Sequence, residues 1–377
     1  MSNKKTVLVM GTGFAGQGHA KAFREAGAEI AGIVGRTPSV VAEVAEKMNI
    51  PYYGTDWKEA LKACQPDIVS IATPGGAHFE TILDALEAGC HVYCDKPLAE
   101  SSERSEELYR KSVEKGVKTA FAASYRYMPE VIHAKRLVAQ GVIGEPREVE
   151  SISHFNLNPD IPFGWSHRIE QGGGRLNNNF THLLSIITYV LGDTVTAVSG
   201  EVRNDMKKAP VVKGVHNFLT RRDFIPENLD DPDLEWGEVN AEWSYTVMAK
   251  IESDYPAAQP VSVLFKHGGL VPRFTDDHIV FYGSKGALFV KGHYGAGPLY
   301  LYNAKGEWEE LPLPEDIAAS LPDIEDDTQR NWTHLASLFV KDLNGESVEP
   351  YQTFKDGALY QRIIDLIREN RSWTELS

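Results

Sequence analysis

The chain has 377 residues, more than one hydrophobic core usually serves, so two domains with a cleft between them are expected. Its 42% hydrophobic and 24% charged residues give an ordinary globular composition, which excludes extended disorder. With 38 Lys and Arg against 53 Asp and Glu, the formal charge of -15 repels phosphate backbones and anionic lipid, so neither nucleic acid nor a membrane is an expected partner.

The opening "MSNKKTVLVMGTG" holds only a short apolar run, and no stretch approaches the roughly 20 apolar residues of a bilayer span. A cytoplasmic protein is expected. Cys64, Cys90 and Cys94 lack the spacing of a disulfide framework and read as thiols. On a strand, "CHVYC" puts Cys90 and Cys94 on one face and His91 on the other, so no metal site is expected.

The first strand, Val7 to Met10, runs into Gly11, Gly13 and Gly16 in G-x-G-x-x-G spacing, followed by a helix ending at Gly27. Such glycines allow a tight turn and close approach of backbone to a pyrophosphate at a helix amino terminus. Gly11, Gly13, Phe14, Ala15 and Gly16 are therefore candidate dinucleotide contacts. About 20 residues on, where an NAD site usually carries an acidic side chain, the sequence reads Gly35, Arg36, Thr37. An exposed Arg beside a hydroxyl and a glycine suits a 2′-phosphate, so NADP(H) is favoured. NAD(H) stays open, because Arg36 can also stack on adenine.

Helices and strands then alternate: a helix at Val40 to Met48, the strand "DIVSIATP", a helix from His78 to Ala88, the strand "HVYCDKP", a helix around Ser102 to Glu114 and the strand "KTAFAAS". This order predicts a parallel, doubly wound sheet over 1–124, with ligand bound beyond the strand carboxyl ends. Ala72, Thr73, Pro74, His78, Asp95, Lys96 and Pro97 fall there. The proline after Lys96 keeps that lysine in extended backbone, projecting it beside a nicotinamide.

Taken together, "GTGFAGQGHAKAF", "DIVSIATPGGAHFETILDALEAGCHVYCDKPLA", "SYRYMP", "GVIGEPREV", "WSHR", "GGGRLNNNFTHLL" and "VFYGSKGALFV" resemble the glucose-fructose oxidoreductase / inositol dehydrogenase / MocA family. The resemblance implies an α/β protein, with an N-terminal Rossmann domain and a second α/β domain (125–377) on an open, mainly antiparallel sheet. It also implies a homo-oligomer, dimer or tetramer, and hydride transfer between a nicotinamide and a carbinol or carbonyl carbon of a sugar, inositol or related polyol. The family's lysine maps to Lys96 and its histidine to His182. Where the family usually reads Asp and Gly, four and two residues before that histidine, this sequence has Asn178 and Phe180.

From Asn178 the apolar residues Phe180, Leu183, Leu184, Ile187 and Leu191 recur at helical spacing, leaving Asn178, His182, Ser185 and Tyr189 on another face. His182 is the candidate base for a hydroxyl proton, and Lys96 the group that steadies the resulting alkoxide. Asn178 positions substrate without charge. By resemblance, Tyr125 and Arg126 sit at the junction of cofactor and substrate, while Trp165, Arg168 and Asn179 line the substrate side.

Residues 203–238 are rich in proline and charge and too long for an ordinary connection, which suits a lid, an interface arm or a mobile segment. Strand-like runs follow, and the tail reads as two helices (about 327–371) packing back on the first domain. Three readings result: an NAD(P)-dependent dehydrogenase or reductase, a glycosidase or lyase using tightly held NAD transiently, or a sugar or nucleotide sensor without chemistry. The glycine turn, "CDKP" and His182 occurring together favour the first.

Overall fold

The computed structural model describes residues 4–192, 194–215, 220–272, 276–303 and 305–369. Strands β1 (Thr6–Met10), β2 (Glu29–Val34), β3 (Tyr52–Gly54), β4 (Ile68–Ile71), β5 (His91–Asp95) and β6 (Thr119–Ala122) form one parallel sheet, in the order β3-β2-β1-β4-β5-β6. Val7 and Val9 of β1 enter one core and Leu8 and Met10 the other, so this strand is covered on both faces, as a central parallel strand must be. The covering helices are α1 (Phe14–Glu25), α2 (Pro38–Lys47), α3 (Trp57–Cys64), α4 (His78–Glu87) and α5 (Ser102–Lys115). Strand order reverses between β1 and β4, which opens the crevice where α/β sheets bind ligand.

The sequence reading passed over β3 and α3, although Asp56 caps α3 by accepting the N–H groups of Lys58 and Glu59. After α6 (Pro129–Ala139), β7 (Pro146–His154) begins the second sheet. Helix α7 (Thr181–Leu191) and β8 (Thr194–Arg203) precede the short pair β9 (Lys208–Pro210) and β10 (Trp236–Glu238). Then come β11 (Ser244–Glu252), β12 (Val261–Gly268), β13 (His278–Gly283), β14 (Ala287–Lys291), β15 (Leu299–Tyr302) and β16 (Trp308–Leu311).

The eight-stranded order is β16-β15-β14-β13-β7-β12-β11-β8, antiparallel throughout except where β7 meets β12. One face packs inward through residues such as Val247, Phe265 and Phe281, while Met248 on the opposite face is 60% exposed. This alternation is the mark of a sheet with a single internal face.

Helices α8 (Glu315–Ser320), α9 (Asp327–Leu343) and α10 (Phe354–Glu369) close the fold. Trp332 of α9 packs on Phe14 and His19 of α1, and α10 runs between α5 and β8. Residues 370–371 of the expected last helix lie outside the described residues.

The 203–238 segment is partly ordered into strands, with a long connection between β9 and β10. Met206 and Ala209 gather with Ile161, Val239 and Trp243 into a small separate core, and β9 pairs with β10 above it. Met206, Ala209 and Ile225 supply enough apolar surface to hold parts of the segment against Leu157, Ile161 and Phe163. Residues 216–219 lie outside the described residues.

Candidate active site

The glycine turn at the end of β1 is shaped by three distinct contacts. Gly11 has φ +121°, and a Cβ there would lie 2.5 Å from the Ala72 carbonyl oxygen. A Cβ on Gly16 would lie 1.9 Å from the Gly11 oxygen, so α1 seats directly on the turn. At Gly13, which precedes α1, a Cβ would meet nothing within 4 Å. No side chain caps α1, so its first N–H groups remain available, and this open space beside them fits the pyrophosphate of a dinucleotide.

Phe14 is 40% exposed at the start of α1, with Ala15 half-buried beside it. Beyond β2, Gly35 and Thr37 are half-buried, while Arg36 is exposed and forms no ion pair among the described residues. Beyond β4, Ala72 donates its N–H to the Met10 carbonyl, and the buried Thr73 hydroxyl lacks a partner.

His78 does not face this crevice. It is fully buried, with Nδ1 2.8 Å from the Pro97 oxygen and Nε2 2.7 Å from the Thr73 oxygen. It therefore braces the β4 and β5 loops, carrying Pro74 and Pro97, against each other. Arg126, expected at the junction of cofactor and substrate, is buried and held by α7. Its guanidinium donates to the Ser185 hydroxyl and carbonyl and to Thr188, and stands 5.1 Å over the Tyr189 ring. Ser185 also donates to the Ala123 carbonyl, so the lower half of the expected polar stripe is a seam between domains.

Lys96 follows Asp95, whose carboxylate accepts the Lys96 N–H at 2.8 Å. The Lys96 ammonium has no hydrogen-bond partner among the described residues. Burial lowers its pKa, Asp95 opposes that shift, and Arg175 adds to it. His182 enters from α7, and its buried Nδ1 is unpartnered. Burial, then the charges of Lys96, His293 and Arg175, hold its pKa well below the usual value, so the ring is neutral near pH 7. The Tyr125 and Tyr294 rings pack on it at 4.6 and 5.0 Å. Tyr125 is thus an aromatic wall, its hydroxyl held by Thr328 at 2.8 Å.

The run Gly172 to Gly174 shapes this wall. A Cβ on Gly172 would lie 2.8 Å from the Gly75 Cα, so the loop abuts the first domain. Gly174 has φ +95° and leaves room for the Glu242 carboxylate, which accepts the Leu176 N–H and pairs with Arg368 at 2.9 Å. The next residues, Leu176–Phe180, form a π-helical turn rather than the expected α-helix, which starts at Thr181. The wider turn directs Asn178 toward Arg175, whose Nη1 lies 3.5 Å from its Oδ1.

Asn179, an expected substrate contact, is fully buried, donating to Ser153 and Tyr294 and accepting from Tyr245. It ties the π turn to the second sheet. Trp165 and Arg168 are half-buried, Arg168 standing 5.6 Å over Phe163 and 4.0 Å from Glu170.

Sequence reasoning missed Arg175, His267, Asp277, His293 and Tyr294. Arg175 donates from Nε to His267, while Nη2 is buried without a partner. His293 Nδ1 lies 3.0 Å from the buried Asp277 carboxylate. Tyr294 has φ +53°, a conformation costly for a tyrosine and frequent at functional sites. Arg175, adjoining the glycines, was the one legible in the sequence; the others arrive from distant strands and turns.

Residues 5–123 match an oxidoreductase family with an NAD-binding Rossmann fold, and residues 131–289 match the GFO/IDH/MocA C-terminal domain. Levoglucosan dehydrogenase of Pseudarthrobacter phenanthrenivorans is 28% identical over 180 residues, which span 47% of this chain and 46% of that protein. The scyllo-inositol 2-dehydrogenase (NAD(+)) of Bacillus subtilis is 29% identical over 77% of this chain and 80% of its own length. The solved levoglucosan dehydrogenase complex with NADH and L-sorbose superposes with a TM-score of 0.80 at 21% identity, covering 97% of this chain and 96% of that one. Among the described residues, no helix is long and apolar enough to cross a membrane and no cluster suits a metal ion. From both matched domains, the chain belongs to the glucose-fructose oxidoreductase / inositol dehydrogenase / MocA family.

Proposed function

We propose that the protein is an NAD(P)-dependent dehydrogenase or reductase acting on a CH–OH carbon of a sugar or polyol. The observation that carries this is the buried, unpartnered Nδ1 of His182, on a ring close enough to Lys96 for the ammonium charge to hold it neutral. Gly11, Gly13, Gly16 and the first turn of α1 would hold the pyrophosphate. When bound, the nicotinamide supplies the acceptor for the hydride that leaves the carbinol carbon as it becomes a carbonyl.

The neutral imidazole of His182 takes the hydroxyl proton. Lys96 donates a hydrogen bond to the same oxygen, favouring the alkoxide as it forms. Tyr125 and Tyr294 exclude water from one side of the imidazole. In the opposite direction His182 returns the proton. Arg36, exposed and without a neighbouring carboxylate partner, supports preference for NADP(H) over NAD(H).

Fluorescence titration with NADPH and NADH, repeated with Arg36→Ala, tests the cofactor. Tighter NADPH binding that collapses in the variant supports the assignment. A sugar and polyol screen then tests turnover, and absence of any dinucleotide binding overturns the reading. The exposed Met248 and Trp308 on the second sheet support a homo-oligomer, which light scattering checks.

A further inference from the structure

We infer that the substrate of this site carries an anionic group, a carboxylate or a phosphate, and that Arg175 receives it. The reaction invoked rests on the dehydrogenase reading, but the charge preference rests on the arrangement of the guanidinium. Arg175 hydrogen-bonds to neutral groups: Nε donates to His267, Nη1 reaches the Asn178 oxygen at 3.5 Å, and the Phe155 ring lies 4.7 Å away, while the charges of Glu242 and Asp277 act on it without a hydrogen bond. Its Nη2 is buried with no partner. The Nη1–Nη2 edge is therefore the fork left for a ligand, and that edge suits two oxygens of one anion.

The nearby carboxylates are engaged elsewhere. Glu242 is bound by Arg368 and the Leu176 N–H, Asp277 by the His154 N–H and His293, and Asp95 by the Lys96 N–H. None of them forms an ion pair with Arg175. Positive charge accumulates instead. Lys96 and Arg175 each disfavour protonation of His182, and Arg175 opposes the charge of both Lys96 and Arg221. Arg221 comes from the connection between β9 and β10 and donates to the Ser166 hydroxyl at 2.6 Å. Holding Lys96 and Arg175 together under burial, with the nearby carboxylates hydrogen-bonded elsewhere, is unfavourable, and an anionic ligand lowers that cost. The same anion would offset the field on His182 and strengthen it as a base in the complex.

The test uses the full-length protein saturated with whichever nicotinamide cofactor it binds. Calorimetric titrations compare D-glucuronate, D-galacturonate and D-gluconate with D-glucose and D-galactose, and with glucose 6-phosphate as the phosphate arm. The same compounds are assayed for nicotinamide turnover. Acidic compounds are expected to bind roughly 10- to 100-fold tighter than neutral ones, in keeping with one charge-assisted contact. Tighter binding of uronates than of the phosphate identifies a carboxylate, and the reverse identifies a phosphate. Arg175→Gln should erase the preference while retaining cofactor affinity, and Arg175→Lys should keep part of it.

Equal binding of acidic and neutral sugars by the wild type, binding of neither, or a preference that survives Arg175→Gln overturns the inference. The wild-type comparison decides even if the variants misfold. Arg175-dependent binding of acids without turnover removes the dehydrogenase reading and leaves this inference standing. Oxidation of neutral sugars with no preference for acids does the opposite.

Discussion

Arg175 donates from Nε to Nε2 of His267 at 2.9 Å, and Nδ1 of the same ring lies 3.2 Å from the Ser153 hydroxyl. A guanidinium can only donate, so Nε2 is the acceptor and the ring proton sits on Nδ1. Burial, then the charge of Arg175, pushes the His267 pKa down to about 2. The ring is therefore a neutral prop across the working pH range, and it places no charge of its own beside the arginine.

Asn178→Asp would place a carboxylate 3.5 Å from Nη1 of Arg175, where a neutral oxygen stands now. An added negative charge favours the protonated forms of His182 and Lys96 and so raises both pKa values. Oxidation requires neutral His182, so the acid limb of kcat/KM should move to higher pH. Anionic substrates should bind more weakly. A pH–rate profile of both proteins checks this, and an unmoved acid limb would count against His182 as the base.

His182→Gln keeps a polar side chain but removes the proton acceptor. A fall in kcat of about 100- to 10,000-fold is expected, with dinucleotide affinity unchanged. Single-turnover kinetics and cofactor titration separate the two quantities. A loss confined to KM would assign His182 to substrate binding alone.

The Glu242–Arg368 pair, at 3% and 12% side-chain exposure, fastens α10 to the glycine loop, since Arg368 also donates to the Gly173 carbonyl. Arg368→Met leaves a buried carboxylate unpaired and should cost about 3–5 kcal/mol. Adding Glu242→Gln should recover part of that loss. Urea unfolding of the single and double variants gives the comparison.

Several buried histidines are held neutral, with burial as the main cause: His19 and His167 are each lowered to about 4 and His267 to about 2. Unfolded, each would titrate near 6.5. Below that pH the unfolded chain binds more protons than the folded one, so folding stability falls as pH falls. The melting temperature should be steady above about pH 6.5 and drop progressively toward pH 4. Differential scanning fluorimetry across that window checks the direction, and a flat profile would contradict it.

The sequence by itself determined the parts governed by local geometry. The glycines after Val7–Met10 require a turn that only they can make, as the 1.9 Å approach of a Gly16 Cβ to Gly11 shows. Alternating apolar runs specified the parallel sheet, because a strand covered on both faces has few other solutions. The short β3 and α3 lacked enough apolar length to register.

What only the tertiary structure decided was which polar side chains face the cleft and which are consumed inside. Asn178 and Asn179 are neighbours in sequence, yet one reaches Arg175 while the other is locked by Ser153, Tyr245 and Tyr294 from distant strands and turns. Arg126 was a candidate site residue and Ser185 a member of the polar helix face, and the structure shows each engaging the other. Helical periodicity assigns a face to each residue but not the neighbour that face will meet. A π turn, one residue wider than periodicity assumes, shifts even the face. The charge of the site is settled in the same way, by partners separated from Arg175 by up to 92 positions in the chain.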